Sequence, residues 1–198
     1  MSNKSLALFD FDGTLTTRDS FIEFVKYYHG SAKLILAIVL HLPILVLFKL
    51  GIIPNWKAKE TLLSYLFGGH DERKFNEKAS EFATRKIPGM LNSETVELMS
   101  NHLSQNDDVY IVSASFENWL RPWAAKHGAE VIASRLEKKD NILTGKILGA
   151  NCYGPEKVSR IKEKIDLTIY SKIYAYGDSR GDKEMLEMAD HGHYLGKN

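Results

Sequence analysis

Residues 5–14 read Ser-Leu-Ala-Leu-Phe-Asp-Phe-Asp-Gly-Thr, an apolar run that leads directly into two acids. Short and nearly continuous apolar runs are typical of strands that are buried on both faces of a parallel sheet. Asp10 and Asp12 are two residues apart at the end of this strand, so their side chains emerge near one another. We therefore expect both carboxylates at the C-terminal edge of a sheet, where open α/β sheets bind their ligands.

Three further apolar segments have the character of buried strands, at 109–112, 131–133 and 172–176. Helical or hairpin-like sequence separates each from the next. This alternation predicts an α/β fold with a doubly wound, Rossmann-like parallel sheet. A small β-hairpin is also expected over 142–148, with Thr144-Gly145 as its turn.

Nearly one hundred residues separate the first two strands, far more than one crossover helix requires. A capping box at Ser20–Glu23 predicts a helix that ends at Gly30. Amphipathic patterns at 56–67 and 71–85 predict two more helices. We therefore predict an all-helical cap, residues 17–87, inserted into a catalytic core that is formed by residues 1–16 and 88–198.

The composition excludes some classes of function. The 198 residues suit one catalytic domain with an insertion. Lys and Arg number 26 against 25 Asp and Glu, so the basic excess expected of a nucleic-acid-binding protein is missing. The single cysteine, Cys152, rules out an internal disulfide framework. Because no signal-peptide apolar region precedes Asp10, we expect a cytoplasmic protein.

A second group of acids follows the last of the predicted strands, in Gly177-Asp178-Ser179-Arg180-Gly181-Asp182. In one parallel sheet this group and the acids at 10 and 12 fall on the same edge. Several carboxylate oxygens that converge there favour a hard cation, which predicts a Mg²⁺ site.

Two further residues point to an anion at this edge. Ser113 follows the strand at 109–112, where its hydroxyl could hold a phosphate, although Ser after a strand is most often only a helix cap. Lys157 begins a helix, a position where a cation opposes the helix dipole. A nearby anion would explain that lysine, and an ordinary surface lysine is the alternative.

With these four segments in order, the sequence resembles the haloacid dehalogenase superfamily, specifically its aspartate-nucleophile phosphatases. The first motif of that family is similar to 10–14, the second to Ser113, the third to Lys157, and the fourth to 177–179 with Asp182. A long helical insertion directly after the first motif resembles the cap of the phosphoserine-phosphatase-like branch, subfamily IB.

The resemblance implies a Mg²⁺-dependent phosphomonoester hydrolase that acts through an aspartyl-phosphate intermediate. Asp10 would be the nucleophile, and Asp12 would protonate the leaving oxygen and then deprotonate water. Mg²⁺ would be bound by Asp10, the backbone carbonyl of Asp12 and Asp178, with Asp182 orienting a metal-bound water. The presence of Asp12 argues against dehalogenation.

The phosphoryl oxygens would be stabilised by Thr14, Ser113 and Lys157, as a loose phosphoryl transition state requires. Hydrolysis cannot be separated at this stage from phosphotransfer to another alcohol. A catalytically idle, membrane-associated interaction module is the alternative from another class of function, and the intact acids favour the enzyme.

The substrate is less well defined by the motifs than the reaction. Phosphoserine phosphatases usually carry Ser where this chain has Gly13, and they place paired acids shortly after the nucleophile. Here Asp19 or Glu23 could meet an amino group and Arg18 a carboxylate, but each also suits a helix start. A phosphatase for phosphoserine or a small amino alcohol therefore remains an alternative.

The segment 34–48 is almost wholly apolar and lies between Lys33 and Lys49. A membrane span needs about 20 apolar residues. One crossing would also place Asp10 and Ser113 on opposite sides of a bilayer. A buried cap helix, peripheral membrane contact and a homodimer surface remain open. If the segment faces the substrate, we expect an apolar or lipid-like phosphomonoester.

Overall fold

The computed structural model describes residues 4–196. In this range the strands are β1 (Leu6–Phe9), β2 (Asp108–Phe116), β3 (Glu130–Ser134), β4 (Leu136–Lys139), β5 (Ile142–Ile147), β6 (Ile173–Gly177) and β7 (His191–Tyr194). The α-helices are α1 (Ser20–His29), α2 (Ser31–Leu40), α3 (Leu42–Lys49), α4 (Asn55–Phe67), α5 (Glu72–Arg85), α6 (Ser93–Ser104), α7 (Glu117–Lys126), α8 (Pro155–Lys164) and α9 (Lys183–Met188). Short 3₁₀ turns lie at Ile87–Met90, Leu167–Ile169 and Arg180–Asp182.

Five strands form a parallel sheet in the order β3-β2-β1-β6-β7. Strand β1 is central, and the chain extends the sheet through β2 and β3 on one side and through β6 and β7 on the other. The predicted doubly wound sheet is therefore confirmed. The carboxyl end of β1 lies where the winding changes direction, the usual ligand position of such sheets.

Strand β1 is buried on both faces, as its continuous apolar sequence predicts. Leu6 and Leu8 pack in one hydrophobic cluster with Ile161 of α8. Ala7 and Phe9 face the opposite side and belong to a larger cluster that includes helices of the insertion. The alternation of side chains along a strand thus gives the sheet two covered faces.

Helices α1 to α5 lie between β1 and β2, where the cap was predicted. Phe24 of α1 stacks on Trp119 of α7 with ring centroids 4.6 Å apart. It also contacts the rings of Phe67, Phe75 and Phe82 at 5.2–5.8 Å. The helical insertion and the core therefore share one hydrophobic cluster.

The helix α1 begins one residue earlier than the capping-box pattern suggested. Asp19 is the N-cap, and its side chain accepts a hydrogen bond from the backbone N–H of Ile22. Ser20 is then the first residue inside the helix and is buried. This one-residue correction matters for the site, because the hydroxyl of Ser20 is free to face the core.

The hairpin predicted over 142–148 is wrong in its bounds, because Ile142–Ile147 is the single strand β5, with Thr144-Gly145 inside it, and the hairpin is formed by β4 and β5. Lys139 pairs with Ile142, so the two-residue turn is Asp140-Asn141, and both of these have positive φ, 51° and 63°. Such angles give a turn whose twist matches that of paired strands. Gly145 lies within β5. A Cβ at this position would overlap the backbone of Ser64 in α4, which explains why the residue is glycine.

The apolar segment 34–48 forms two helices, α2 and α3, that meet at an angle of 69°. In the described part of the chain no single helix has the length and apolarity of a membrane span, and only this bent pair meets those criteria jointly. Helix α2 buries Leu34 and Ala37, and α3 has no buried residue. The interpretation as a fully buried cap helix is therefore wrong.

Candidate active site

The carboxyl ends of β1, β2 and β6 surround a cleft of about 290 Å³ between the sheet and the cap. Five of the seven predicted site residues line it, Asp10, Asp12, Ser113, Lys157 and Asp182. The cap contributes mainly apolar side chains to the opposite wall, which are Phe21, Ile22, Leu45, Phe48, Ala58 and Leu62.

Lys157 joins two acids that are far apart in the sequence. Its Nζ donates to Oδ1 of Asp10 at 2.6 Å and to Oδ1 of Asp182 at 2.5 Å. Lys157 is only 1% exposed, so the surface-lysine alternative does not apply. Burial alone would lower the pKa of Lys157, but the two carboxylates outweigh burial and raise it, which keeps the lysine cationic.

The carboxyl group of Asp10 is poorly solvated. Burial raises its pKa to about 7, the charge of Asp182 adds to this shift, and Lys157 opposes it. With Lys157 as its partner, Asp10 would therefore be only partly ionised near neutral pH. A further cation beside Asp10 would favour the carboxylate form that a nucleophile needs.

The acids at this position fit a divalent metal. Asp10, Asp178 and Asp182 each offer a carboxylate oxygen, and these oxygens lie within 4.8 Å of one another. Three acids facing one lysine leave an excess of buried negative charge, and burial also raises the pKa of Asp178. Hard oxygen ligands in this number suit Mg²⁺.

Asp182 is held more firmly than the other two acids. Its Oδ2 accepts from the backbone N–H of Ser179 at 2.9 Å and from the Ser179 hydroxyl at 2.7 Å, while Oδ1 accepts from Lys157. These bonds occupy both oxygens of Asp182. Asp178 has more freedom to bind a metal directly, and the roles predicted for the two residues stay predictions.

The carboxylate of Asp178 lies against Thr14 and Gly13. The Thr14 hydroxyl donates to Oδ1 of Asp178 at 3.0 Å, and Thr14 does not line the cleft. Its predicted contact with a phosphoryl oxygen stays a prediction. Gly13 has φ = 87°, and a Cβ there would overlap the Asp178 carboxylate, which explains why a residue with a side chain is absent at this position.

The side chain of Asp12 points away from the three acids and towards the start of α1. Its Oδ1 accepts from the backbone N–H of Ser20 at 2.7 Å, and its Oδ2 accepts from the Ser115 hydroxyl at 2.5 Å. Asp12 therefore stays out of the carboxylate cluster. Both of its carboxylate oxygens accept hydrogen bonds, and its predicted roles, proton transfer by the side chain and a metal contact by the backbone carbonyl, stay predictions.

Asp12 is the end of a hydrogen-bonded chain that begins in the core. The indole Nε1–H of Trp119 donates to Ser20 Oγ at 3.0 Å, and Ser20 Oγ lies 2.9 Å from Ser115 Oγ. Because an indole N–H can only donate, Ser20 Oγ accepts from Trp119, and the Ser20 hydroxyl donates its hydrogen bond to Ser115 Oγ. Ser115 in turn donates to Asp12.

The pKa of Asp12 is raised to about 6, mainly by burial and further by the charge of Asp19. The hydrogen bonds from Ser115 and Ser20 oppose this shift because they stabilise the carboxylate. A general acid and base works best when its pKa lies near the working pH. A pKa of about 6 would suit such a role at a pH near neutral.

Ser113 is buried at the end of the regular part of β2. Its Oγ accepts from the backbone N–H of Ser115 at 3.1 Å. That bond orients the hydroxyl so that its own hydrogen can be donated into the cleft. The geometry is compatible with the predicted contact to a phosphoryl oxygen.

A second lysine enters the cleft from the cap, and the sequence patterns did not reveal it. The Nζ of Lys59, in α4, donates to the carbonyl of Ala114 at 2.6 Å and lies 4.5 Å from the ring centroid of Phe116. Burial lowers the pKa of Lys59 to about 8. The cap therefore adds a cation to a mainly apolar wall, whose other polar residues are Asp19 and Asn55.

Residues 7–187 match the model of the haloacid dehalogenase-like hydrolase family, so the chain belongs to that family. The family predicted from the four motifs is confirmed, and so is the enzyme class, a hydrolase of the phosphatase type. The α/β core with the sheet order described above is the fold of this family.

Related proteins cover nearly the whole chain. Protein CicA of Caulobacter vibrioides is 31% identical over 194 residues, which are 96% of this chain and 85% of that protein. The probable phosphatase Rv3661 of Mycobacterium tuberculosis is 27% identical over 95% of this chain and 67% of its own length. A solved phosphoserine phosphatase with a phospho-aspartyl intermediate analogue has a TM-score of 0.62 and 23% identity, over 95% of this chain and 84% of that one. The predicted likeness to the phosphoserine-phosphatase-like branch is thus confirmed for the fold.

Proposed function

We propose that this protein is a Mg²⁺-dependent phosphomonoester hydrolase that forms an aspartyl phosphate on Asp10. The observation that carries the proposal is the convergence of Asp10, Asp178 and Asp182 within 4.8 Å, with Lys157 bonded to Asp10. The likeness to a phosphoserine phosphatase with a phospho-aspartyl intermediate analogue supports the same chemistry.

The first half of the reaction divides between two acids. A carboxylate oxygen of Asp10 forms a bond to phosphorus as the bond from phosphorus to the ester oxygen breaks. Asp12 gives its proton to that leaving oxygen, so the product is a neutral alcohol. Mg²⁺, when bound by Asp10 and Asp178, would reduce the repulsion between the anionic nucleophile and the phosphate.

In the second half, Asp12 accepts a proton from water, and the resulting hydroxide attacks phosphorus and releases the Asp10 carboxylate. Lys157 holds Asp10 in place and adds positive charge beside the phosphoryl group. The Ser113 hydroxyl donates to a phosphoryl oxygen. An alcohol in place of this water would give phosphotransfer, which the same residues would catalyse.

We further propose an apolar or lipid-like substrate. The cap wall of the cleft includes Phe21, Leu45 and Phe48, and the last two belong to the apolar helix α3. An alkyl or acyl chain that extends from the phosphate towards the cap would contact these side chains. Lys59 lies beside them and would favour an anionic headgroup.

The alternative of a phosphoserine or amino-alcohol phosphatase has less support in the cleft. Of the three residues considered for such a substrate, Asp19 lines the cleft. Arg18 and Glu23 line a separate depression together with Tyr27 and Lys86. Arg18 therefore does not share a depression with Asp19, and the pair that does share one, Arg18 and Glu23, lies outside the cleft that contains Asp10.

Phosphate release from a series of alkyl phosphates, measured with Mg²⁺ and after chelation, tests the proposed function. Each methylene that enters an apolar site contributes up to about 0.8 kcal/mol, so kcat/KM should rise several-fold per methylene until the site is full. Phe48→Ser should flatten this rise. The control Leu98→Ser should not, because Leu98 is an exposed residue of α6 that does not line the cleft. A flat profile with a strong preference for phosphoserine would contradict the apolar substrate.

A further inference from the structure

The exposed apolar surface of this protein is concentrated in one segment. Among the described residues, twelve of the nineteen exposed large hydrophobic side chains lie between Ile35 and Trp56. Val39 and Leu50 are 62% and 68% exposed. We call α2, α3 and the following turn up to Trp56 the apolar elbow. Contiguous apolar surface of this kind marks a site of interaction.

The charged side chains within the sequence of the apolar elbow and its flanks have one sign. No Asp or Glu occurs between Glu23 and Glu60, whereas this interval contains Lys26, Lys33, Lys49, Lys57 and Lys59. Of these, Lys26 is paired with Glu23 and Lys59 lies in the cleft, so the lysines that can meet a partner of the apolar elbow are Lys33, Lys49 and Lys57. The whole chain has a formal charge of only +1, so this cationic excess is local. Lys49 and Lys57 are exposed and lie on either side of the turn that follows α3.

We propose that the apolar elbow docks on the surface of an anionic lipid bilayer. In this arrangement the exposed side chains of α2 and α3 enter the interface, and Lys49 and Lys57 contact anionic headgroups. Trp56 is 48% exposed at the start of α4, and tryptophan favours the boundary between lipid and water.

A second copy of the chain is a less suitable partner for this surface. A two-fold dimer places the same patch on both sides of its interface. Two patches of the same positive charge would then come together, with no acid in the interval 24–59 to pair with their lysines. An anionic bilayer complements both the apolar side chains and the charge.

The apolar elbow lies on the bilayer in this proposal and does not cross it. Leu34 and Ala37 are buried, so one side of α2 stays packed against the protein. The 69° angle between the two helices also matches a surface position better than a straight span. Leu45 and Phe48 line both the apolar elbow and the cleft, so docking would bring the cleft entrance to the lipid surface.

Vesicle flotation of the whole protein tests the docking without any need for catalysis. Vesicles of phosphatidylcholine mixed with phosphatidylglycerol should bind the protein, and vesicles of phosphatidylcholine alone should bind it at least about tenfold more weakly. Lys49→Gln with Lys57→Gln should reduce binding to the anionic vesicles about tenfold or more. The matched control, Lys139→Gln with Lys162→Gln, removes the same charge elsewhere and should change binding by less than about twofold.

An apolar pair of variants completes the test. Ile35→Gln with Val39→Gln should also lower vesicle binding about tenfold or more, and the control Leu98→Gln with Ile169→Gln should not. All four double variants should release phosphate from a small soluble phosphomonoester at the wild-type rate, which separates docking from the proposed hydrolysis. The proposal is wrong if the wild type does not float with anionic vesicles, or if the variants bind as the wild type does. It is also wrong if the wild type sediments as a dimer and the double variant Ile35→Gln with Val39→Gln sediments as a monomer while its vesicle binding is unchanged.

Discussion

Lys157 Nζ lies 2.6 Å from Oδ1 of Asp10, although 147 residues separate the two in the sequence. The doubly wound sheet brings the end of β1 to the start of α8, and both side chains are almost completely buried there. A buried charge needs its partner, because removing one member of such a pair costs about 3–5 kcal/mol. The pair therefore links the stability of the core to the chemistry of the nucleophile.

Asp10 should make the stability of the metal-free protein depend on pH. Its pKa is about 7 in the folded state and near 3.8 in an unfolded chain, so the folded state binds this proton more tightly. Stability should therefore fall as the pH rises from about 4 to about 7, by a few kcal/mol. Chemical denaturation of the metal-free wild type and of Asp10→Asn at several pH values measures this contribution, and Asp10→Asn should lack it. A wild type and variant with parallel pH profiles would show that the Asp10 carboxyl group is not perturbed.

Asp12→Asn and Lys157→Ala should differ in their response to the leaving group. Asp12 protonates the leaving oxygen, so a substrate with an activated, weakly basic leaving group should recover much of the activity of Asp12→Asn. Lys157→Ala should stay severely impaired with both substrates, because its role does not depend on the leaving group. Measured kcat/KM for an alkyl phosphate and an aryl phosphate would separate the two roles. Equal rescue of both variants would contradict them.

Ser115→Ala should move the pH dependence of turnover to higher pH. The Ser115 hydroxyl stabilises the Asp12 carboxylate and so lowers the pKa of Asp12. Without this bond the pKa rises above about 6, Asp12 stays protonated to a higher pH, and the alkaline limb of kcat for an alkyl phosphate should shift upward. Ser20→Ala should shift it less, because the backbone N–H at position 20 still donates to Asp12. An unchanged profile in Ser115→Ala would remove Ser115 from this role.

Lys59 should affect substrate binding more than turnover. Because burial lowers its pKa to about 8, the lysine is cationic below that pH and neutral above it. KM for an anionic phosphomonoester should therefore rise as the pH passes through about 8, and Lys59→Arg should suppress this rise. Lys59→Met should raise KM about fivefold at pH 7, as expected for the loss of about 1 kcal/mol. A KM in Lys59→Met equal to that of the wild type would show that Lys59 does not contact substrate.

The sequence was sufficient to predict four of the five strands of the sheet and the strand ends that border the cleft, but not β7, whose four residues are all exposed and form no apolar run. The apolar runs at 6–9, 109–112 and 173–176 are each followed by acids or serine, and parallel strands place all of their carboxyl ends together. The bond from Lys157 to Asp10 agrees with the anion inferred near that helix start. These inferences depend on local patterns and on topology alone.

Contacts between the cap and the core could not be predicted in the same way. Ser20 and Ser115 are 95 residues apart, and their bond depends on how α1 packs against the end of β2. Lys59 is one of two lysines on an amphipathic helix, without a pattern that sets it apart from Lys57. Segment 34–48 is apolar on all sides, so its sequence did not indicate which side would be exposed.

Trapping of the covalent intermediate tests the central claim most directly. The protein would be mixed with Mg²⁺ and a phosphomonoester, quenched with acid and reduced with borohydride, which converts an aspartyl phosphate into homoserine. Mass spectrometry of the peptide that contains Asp10 should show homoserine at this position in the wild type and no such product in Asp10→Asn, which should also release no phosphate. Homoserine at another aspartate, or an Asp10→Asn variant that turns over substrate at the wild-type rate, would contradict the assignment of Asp10 as the nucleophile.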